Sequence, residues 1–384
     1  MKNKNNEIVE NFKNAFIISS IAYAIIFVVY RFLPICFPII STSQNDAWLL
    51  SNYVTVDNYR KRPVADFDIV VCDLDGTMSR DSIAQAIEKI ESFSPKVIGC
   101  DIIFSQSSGV DTISTNRLKR VIESYDNIIL ATRVINDRLG NMTFIEESIF
   151  NGGRKGNITV STDGMYERVC RVNDSIYVNF ASVVAEYAND NINYPTGNFA
   201  INYSNKYFIH KKINELTYDD VSGKIVILGD LKDLRDYVDM DFPISDYRYY
   251  DMEEPIYRIP GAYLHAYTIS SIINGDWVRI ASNWFSKIFG FLYLFLVCIT
   301  IEFLKDKTNN PWRFVYKVAK LGMVILLFVV LYFIYAPLKV IMDPLYLTIG
   351  VAMIGISSTI KEFIEAKIRQ IFAKKTKSVF TDTI

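Results

Sequence analysis

Apolar residues gather into four long runs, one near the amino terminus and three towards the carboxyl terminus, with the long stretch 41–283 between the first and second. The first run covers 15–30 and continues past Arg31 to residue 40; the others cover 284–304, 321–338 and 345–360. A bilayer core takes roughly 20 apolar residues of helix, so each run is predicted to span a membrane, the last being the shortest. A cleaved signal peptide would also have a basic start and an apolar core. The string FLPICFPII that follows offers no small-x-small cleavage site, and bulky Ile35 before Cys36 argues against lipidation. The first run is therefore read as a retained helix.

Basic residues set the expected orientation, because Lys and Arg stay on the cytoplasmic side of short loops. Lys305, Lys307, Arg313, Lys317 and Lys320 follow the second run against Asp306 alone, and Lys361, Lys367, Arg369, Lys374, Lys375 and Lys377 follow the fourth. The expected organisation is a cytoplasmic amino terminus (1–14), a span (15–40), an extracytoplasmic domain (41–283) and a span (284–304). A cytoplasmic loop (305–320), two spans (321–338 and 345–360) and a cytoplasmic tail (361–384) complete it.

Within 41–283 the pattern switches between strand and helix periods. The buried runs 66–74 and 96–104 have strand length, and between them Ile83, Ile87 and Ile90 recur at helical spacing behind Ser79 and Asp81, which suit a helix start. Strand, helix and strand in so short a segment predict a crossover joining parallel strands, with Cys72 and Cys100 on neighbouring strands. Helices near 115–124, 180–188 and 262–274 and strands at 127–132 and 224–229 continue the pattern. Shorter alternating segments at 142–150 and 157–161, with Gly152, Gly153 and Gly156 marking a turn, predict an antiparallel or hairpin excursion. The fold class expected is α/β, an extracytoplasmic domain with a mostly parallel sheet and flanking helices, plus four transmembrane helices.

Charge narrows the partners. Asp and Glu outnumber Lys and Arg by 34 to 24 in 41–283, and phosphate backbones require a positive face, so nucleic acid is not expected. The five cysteines, Cys36, Cys72, Cys100, Cys170 and Cys298, have no paired spacing. Cys36 and Cys298 belong to the apolar runs, Cys72 and Cys100 are read as buried free thiols, and no disulfide framework is implied.

Two motifs bear on function. Asp73-Leu74-Asp75-Gly76-Thr77 follows an apolar strand and resembles the first motif of the haloacid dehalogenase superfamily. That resemblance implies a Mg-dependent phosphatase with Asp73 as nucleophile, Asp75 as acid and base, and metal-binding acids near Gly229-Asp230 and Asp233. The resemblance lacks an identifiable Lys, and Asp101 stands where a Ser or Thr would end the second strand. A broader resemblance runs over about 45–282. PKVIGCDIIF at 95–104, SGKIVILG at 222–229, IPGAYLHAY at 259–267 and Gly275 occur in the order of the CHASE domain of type two, a family of bacterial extracellular sensor domains set between one and three membrane helices.

The CHASE2 resemblance implies a non-enzymatic receptor in the bacterial cytoplasmic membrane. It would bind an unknown extracytoplasmic ligand or protein and signal to a separate cytoplasmic or membrane output protein, since 361–384 is too short for a catalytic domain. No cofactor is implied. The alternatives are a structural membrane-complex subunit without a ligand and the phosphatase. Candidate ligand-binding residues are Asp73, Asp75, Asp101 and Asp230, near strand ends where α/β sheets bind ligands, with His265; the carboxylates serve equally as helix caps or turn braces. Thr348, Ala352, Gly355 and Thr359 form a stripe of small residues suited to helix packing in lipid, either against the chain's own spans or in a homo-oligomer. Phe363, Ile364, Ile368 and Ile371 suggest that the last helix continues as an amphipathic extension.

Overall fold

The computed structural model describes residues 4–36, 54, 57, 64–76, 79–104, 111–136, 142–146, 148–150, 152–159, 165–166, 168–172, 175–194, 199–203, 206–244, 256–281, 283–305, 321–323, 325–327, 329–330, 338–341 and 345–381. They fall into two compact units, Ser43–Ile280 and the pair of segments Met1–Thr42 and Ala281–Ile384. The helices are α1 (Lys4–Cys36), α2 (Arg80–Glu91), α3 (Thr112–Ser124), α4 (Phe180–Ala188), α5 (Tyr218–Val221), α6 (Gly261–Asn274), α7 (Asn283–Lys305) and α8 (Leu345–Thr381). Strands of the Ser43–Ile280 unit begin with β1 (Val64–Asp73), β2 (Val97–Cys100), β3 (Ile128–Asn136), β4 (Met142–Glu146) and β5 (Arg154–Asn157). Next come β6 (Met165–Tyr166), β7 (Val169–Val172), β8 (Ser175–Val178), β9 (Phe199–Ala200) and β10 (Lys206–Lys212), then β11 (Ile225–Gly229), β12 (Tyr237–Ile244), β13 (Ile256–Pro260) and β14 (Val278–Ile280).

A mostly parallel sheet organises the Ser43–Ile280 unit in the order β10, β1, β11, β2, β3. β3 carries β5 in parallel along residues 129–132 and β4 antiparallel along 133–136. Parallel strands covered on both faces read as continuous apolar runs, as 69–72 and 225–228 do. Successive side chains point to opposite faces. Val70, Cys72, Ile98, Cys100, Val226 and Leu228 meet the buried faces of α2 and α3, including Ile83, Ile87, Ile90, Leu118 and Ile122. The opposite face packs on α4 and α6: a Cβ built on Gly99 would lie 3.0 Å from Phe180 and 3.1 Å from Val184. Helices on both sides of a mixed, mainly parallel sheet agree with the expected α/β class.

Local signals account for the helix starts. Ser79 accepts from the Ser82 N–H, Asp111 from those of Ile113 and Ser114, and Asn179 from that of Ala181, each satisfying orphan donors of a first turn. Gly275, at φ 61°, ends α6 in the left-handed conformation that favours glycine.

Several expectations need correction. β1 and β2 are not neighbours: β11 lies between them, with Leu228 paired to both Cys72 and Cys100. A crossover that skips a place leaves room for a later strand, and no local pattern reports which strand fills it. The strand expected over 96–104 ends at Cys100, and 101–104 is irregular. Gly156 lies in β5 rather than in a turn; its missing side chain admits α4, since a Cβ there would stand 2.4 Å from the Phe180 Cα. The antiparallel excursion is real, comprising β4, the β7–β8 hairpin and the small β14–β9–β6 sheet.

In the other unit α1, α7 and α8 pack together. Ala15, Ile18, Ala22 and Ile26 of α1 meet Leu294, Val297, Cys298 and Ile301 of α7 and Val351 and Ile354 of α8. Phe12, Phe16 and Tyr23 stack edge-on against Phe291 and Phe295, and the Tyr23 hydroxyl donates to the Lys287 carbonyl at 2.9 Å. Among the described residues two helical segments are long and apolar enough to cross a membrane, Glu7–Val28 and Trp284–Phe303, rather than the four expected. Only a third of each is buried, and Phe16, Phe27, Trp284, Ile288, Leu292 and Leu296 remain exposed. Helices apolar on all sides suit lipid better than water. Half of the expected third span lies outside the described residues, and the fourth opens α8, which runs on to Thr381.

Three residues of the small-residue stripe lie largely outside the contacts of α8 with α1 and α7. Ala352 and Thr359 are exposed and Gly355 is half-buried, while Gly350, Val351, Ile354 and Ser357 face inwards. The close approach occurs at Gly350, where a Cβ would lie 3.0 Å from Ile26 and 3.3 Å from Leu294. The side chain of Thr348 lies outside the described residues.

Candidate functional site

Strands β1, β11 and β2 end side by side, which brings Asp73, Asp230 and Asp101 to the carboxyl edge of the sheet. Three of the five candidate binding residues there are engaged with the protein itself. Asp73 Oδ1 accepts the Asp75 N–H at 2.9 Å and the Leu231 N–H at 3.2 Å, tying the turn after β1 to the turn after β11. Asp75, at φ 54°, pairs with Lys232 and, at 3.1 Å, with Lys212. Lys232 first and Lys212 second hold its carboxyl below the usual range. Asp230 Oδ1 accepts the Lys232 N–H at 3.0 Å. This is turn-bracing chemistry.

Asp101 and His265 behave differently. Both side chains are buried, at 1% and 3% exposure, and His265 Nε2 stands 3.7 Å from Asp101 Oδ1. Neither Asp101 oxygen nor His265 Nδ1 has a hydrogen-bond partner among the described residues. The Phe180 ring of α4 closes one side of the imidazole at a centroid distance of 4.9 Å. Burial pushes His265 down to about 4, so the ring is neutral, and pushes Asp101 up to about 7.

A third member, Asp236, escaped the sequence reading. Its carboxyl and that of Asp101 converge on Gly261 at the start of α6: a Cβ added there would lie 3.2 Å from Asp236 Oδ1 and 3.3 Å from Asp101 Oδ2. Burial first, then Asp101, Asp233 and Asp230, push Asp236 up to about 8, against the Gly261 N–H that it accepts. The available signal was acids at every third position, Asp230, Asp233 and Asp236, directly behind a buried strand. Among the described residues no cluster of His, Cys, Asp and Glu is arranged to hold a metal ion.

Cys72, Cys100 and Cys298 are buried free thiols, and burial raises the first two well above their ordinary range. Such groups pack rather than react. His210, the second histidine, lies 4.0 Å from Asp73 Oδ2.

A CHASE2 domain is recognised over residues 48–301, and the chain belongs to that family. The family comprises extracellular sensor domains rather than catalytic ones, and here the match runs on from the α/β unit through most of α7. No curated protein and no solved structure matches the chain.

Proposed function

We propose that this protein is a non-enzymatic sensor subunit of a bacterial cytoplasmic membrane, with its α/β domain outside and both termini inside. The family match over 48–301 carries this reading. The basic stretches 305–320 and 361–384 support a four-span arrangement in which 321–338 and 345–360 also cross the bilayer. In the site, Asp73, Asp75 and Asp230 brace the strand ends, and the buried Asp101 and His265 with the half-buried Asp236 form the part that responds.

The signal passes to a separate protein through the continuation of α8. Phe363, Ile364, Ile368 and Ile371 are exposed beside Lys367 and Arg369, an apolar and basic mixture suited to an anionic membrane surface or a partner helix. Any stimulus must bind two arrangements of the helices with different affinity, because equal affinity moves nothing. Cross-linking full-length protein in its own membrane and identifying what is captured through α8 tests this reading. Capture of one output protein, lost in an Ile364→Asp, Ile368→Asp variant, is expected; recovery of no protein, or of the same one regardless of the variant, would contradict it.

A further inference from the structure

The buried Asp101 and the half-buried Asp236 meet behind α6 with no Lys or Arg counter-charge among the described residues. Asp101 lies 1% exposed with both oxygens unpartnered, and Asp236 reaches the same point against Gly261. Among the described residues no Lys or Arg pairs with either, and no metal-holding cluster exists. Two carboxylates close together in a medium of low polarity cannot both be ionised, and unmet buried acceptors are costly. A proton held by the pair satisfies both conditions without needing space, and the remaining negative charge faces the amino-terminal turn of α6, whose Gly261 N–H Asp236 accepts.

We propose that Asp101 and Asp236 share one proton in a buried site closed by the first turn of α6, and that protons are the stimulus this domain reads. The proposal rests on the sensor reading above and names its ligand. The proton comes from solvent and returns to it, so no other reactant is involved.

The surroundings fix the sense of the response. Cys100 adjoins the site on β2, Asp230 and Asp233 follow β11, and His265 faces it from α6. From α4 comes the Phe180 ring. On the β1 and β10 side Asp73 is occupied by backbone N–H groups, with His210 beside it, and Arg258 of β13 turns to Asp239 at 3.0 Å. Among the described residues the charges that act on Asp236 are the acids Asp101, Asp233 and Asp230. Loss of the shared proton sets two like charges beside each other and drives Asp236 from Asp101, which breaks the bond that Asp236 accepts from the Gly261 N–H and releases the first turn of α6. The far end of the same helix is fixed: Ser270 donates to Asp66, and Ser271 donates to Asp276, which pairs with Lys206 at 2.7 Å. β14 and then α7 follow α6 in the chain, so a displaced α6 bears on the segment that leads into the second span.

Infrared titration of full-length protein in lipid nanodiscs, from about pH 5 to about pH 9, reads the protonated buried carboxyl directly, a signal that a merely structural role would not produce. Hydrogen exchange across 261–280 is followed over the same range. The expected result is a carboxylic-acid band that titrates in the neutral range, disappears in both Asp101→Asn and Asp236→Asn, and is matched by faster exchange in α6 with the same midpoint. His265→Gln should keep the band. A band that is absent, or that survives either Asn variant, overturns the shared proton. A band that titrates while α6 exchange stays constant overturns the proton as stimulus and leaves the sensor reading itself standing, since that reading is tested independently by capture of an output partner.

Discussion

Replacing Asp73 by Ala separates a structural brace from a catalytic nucleophile. The side chain is 5% exposed and its Oδ1 receives two backbone N–H groups, from Asp75 and Leu231. A hydrogen bond to a charged acceptor contributes about 1.5–3 kcal/mol, and a buried donor left without a partner costs a similar amount. Leu231 lies in the buried part of the turn while Asp75 is partly solvated, so one full loss and one partial loss apply. Asp73→Ala should therefore destabilise the α/β unit by roughly 3 kcal/mol, a fall in melting temperature of roughly 6–12 °C for a domain of this size. Asp73→Asn keeps an acceptor oxygen and should cost about 1 kcal/mol. Thermal unfolding of the full-length protein in detergent, followed by near-ultraviolet circular dichroism, measures both. An Ala variant that melts with the parent would refute the bracing argument. So would Mg-dependent phosphomonoesterase activity in the parent that vanishes in Asp73→Asn with no change in stability.

Other perturbations follow from the same geometry. Gly156→Ala places a methyl 2.4 Å from the Phe180 Cα, a clash of backbone with side chain that should cost about 3 kcal/mol or more; unchanged protease resistance would contradict it. In the membrane unit Gly350→Leu should loosen α8 from α1 and α7, because a Cβ already meets Ile26 at 3.0 Å, whereas Gly355→Leu on the more open face should not; melting in detergent separates the two. Stability should also depend on pH in a definite sense. The Asp101 and Asp236 pair keeps a proton that unfolded aspartates lose above about pH 4, so its contribution is full below that value and is lost as pH rises to about 7 to 8. His265 works in the opposite direction, losing its contribution as pH falls from the unfolded value near 6.5 towards about 4. Melting temperature should therefore fall between about pH 6.5 and about pH 8 and level off above it, with most of that slope absent in Asp101→Asn, and a parent with no slope there would contradict the assignment.

Elements with a complete local signal were legible in the sequence. α2 has its Ile83, Ile87 and Ile90 face and its Ser79 cap, and β11 is an uninterrupted apolar run. β10 went unseen because its seven residues, KYFIHKK, bury only Phe208 fully, as an edge strand allows. β14 and β9 are too short to show a period. The position of β11 between β1 and β2 is a tertiary outcome, settled by which buried strand fills the vacant place. The site followed the same division. Asp101 and His265 were each visible, one at a strand end and one on a helix, yet their meeting depends on α6 docking against the sheet. Asp236 was hidden in an acid-rich turn whose members look alike until one of them turns in beside Asp101 at Gly261. Asp73, Asp75 and Asp230 stood out by motif, and backbone N–H groups and lysines absorbed them.

The account depends most on which side of the membrane the α/β domain occupies. Ser175 at the start of β8 is exposed, so a Ser175→Cys variant in intact cells, treated with a membrane-impermeant maleimide and compared with the parent, reads the answer directly. Labelling of intact cells above the parent background, to the same extent as after lysis, is predicted. Protection in intact cells with full labelling after lysis would place the domain in the cytosol and contradict the account.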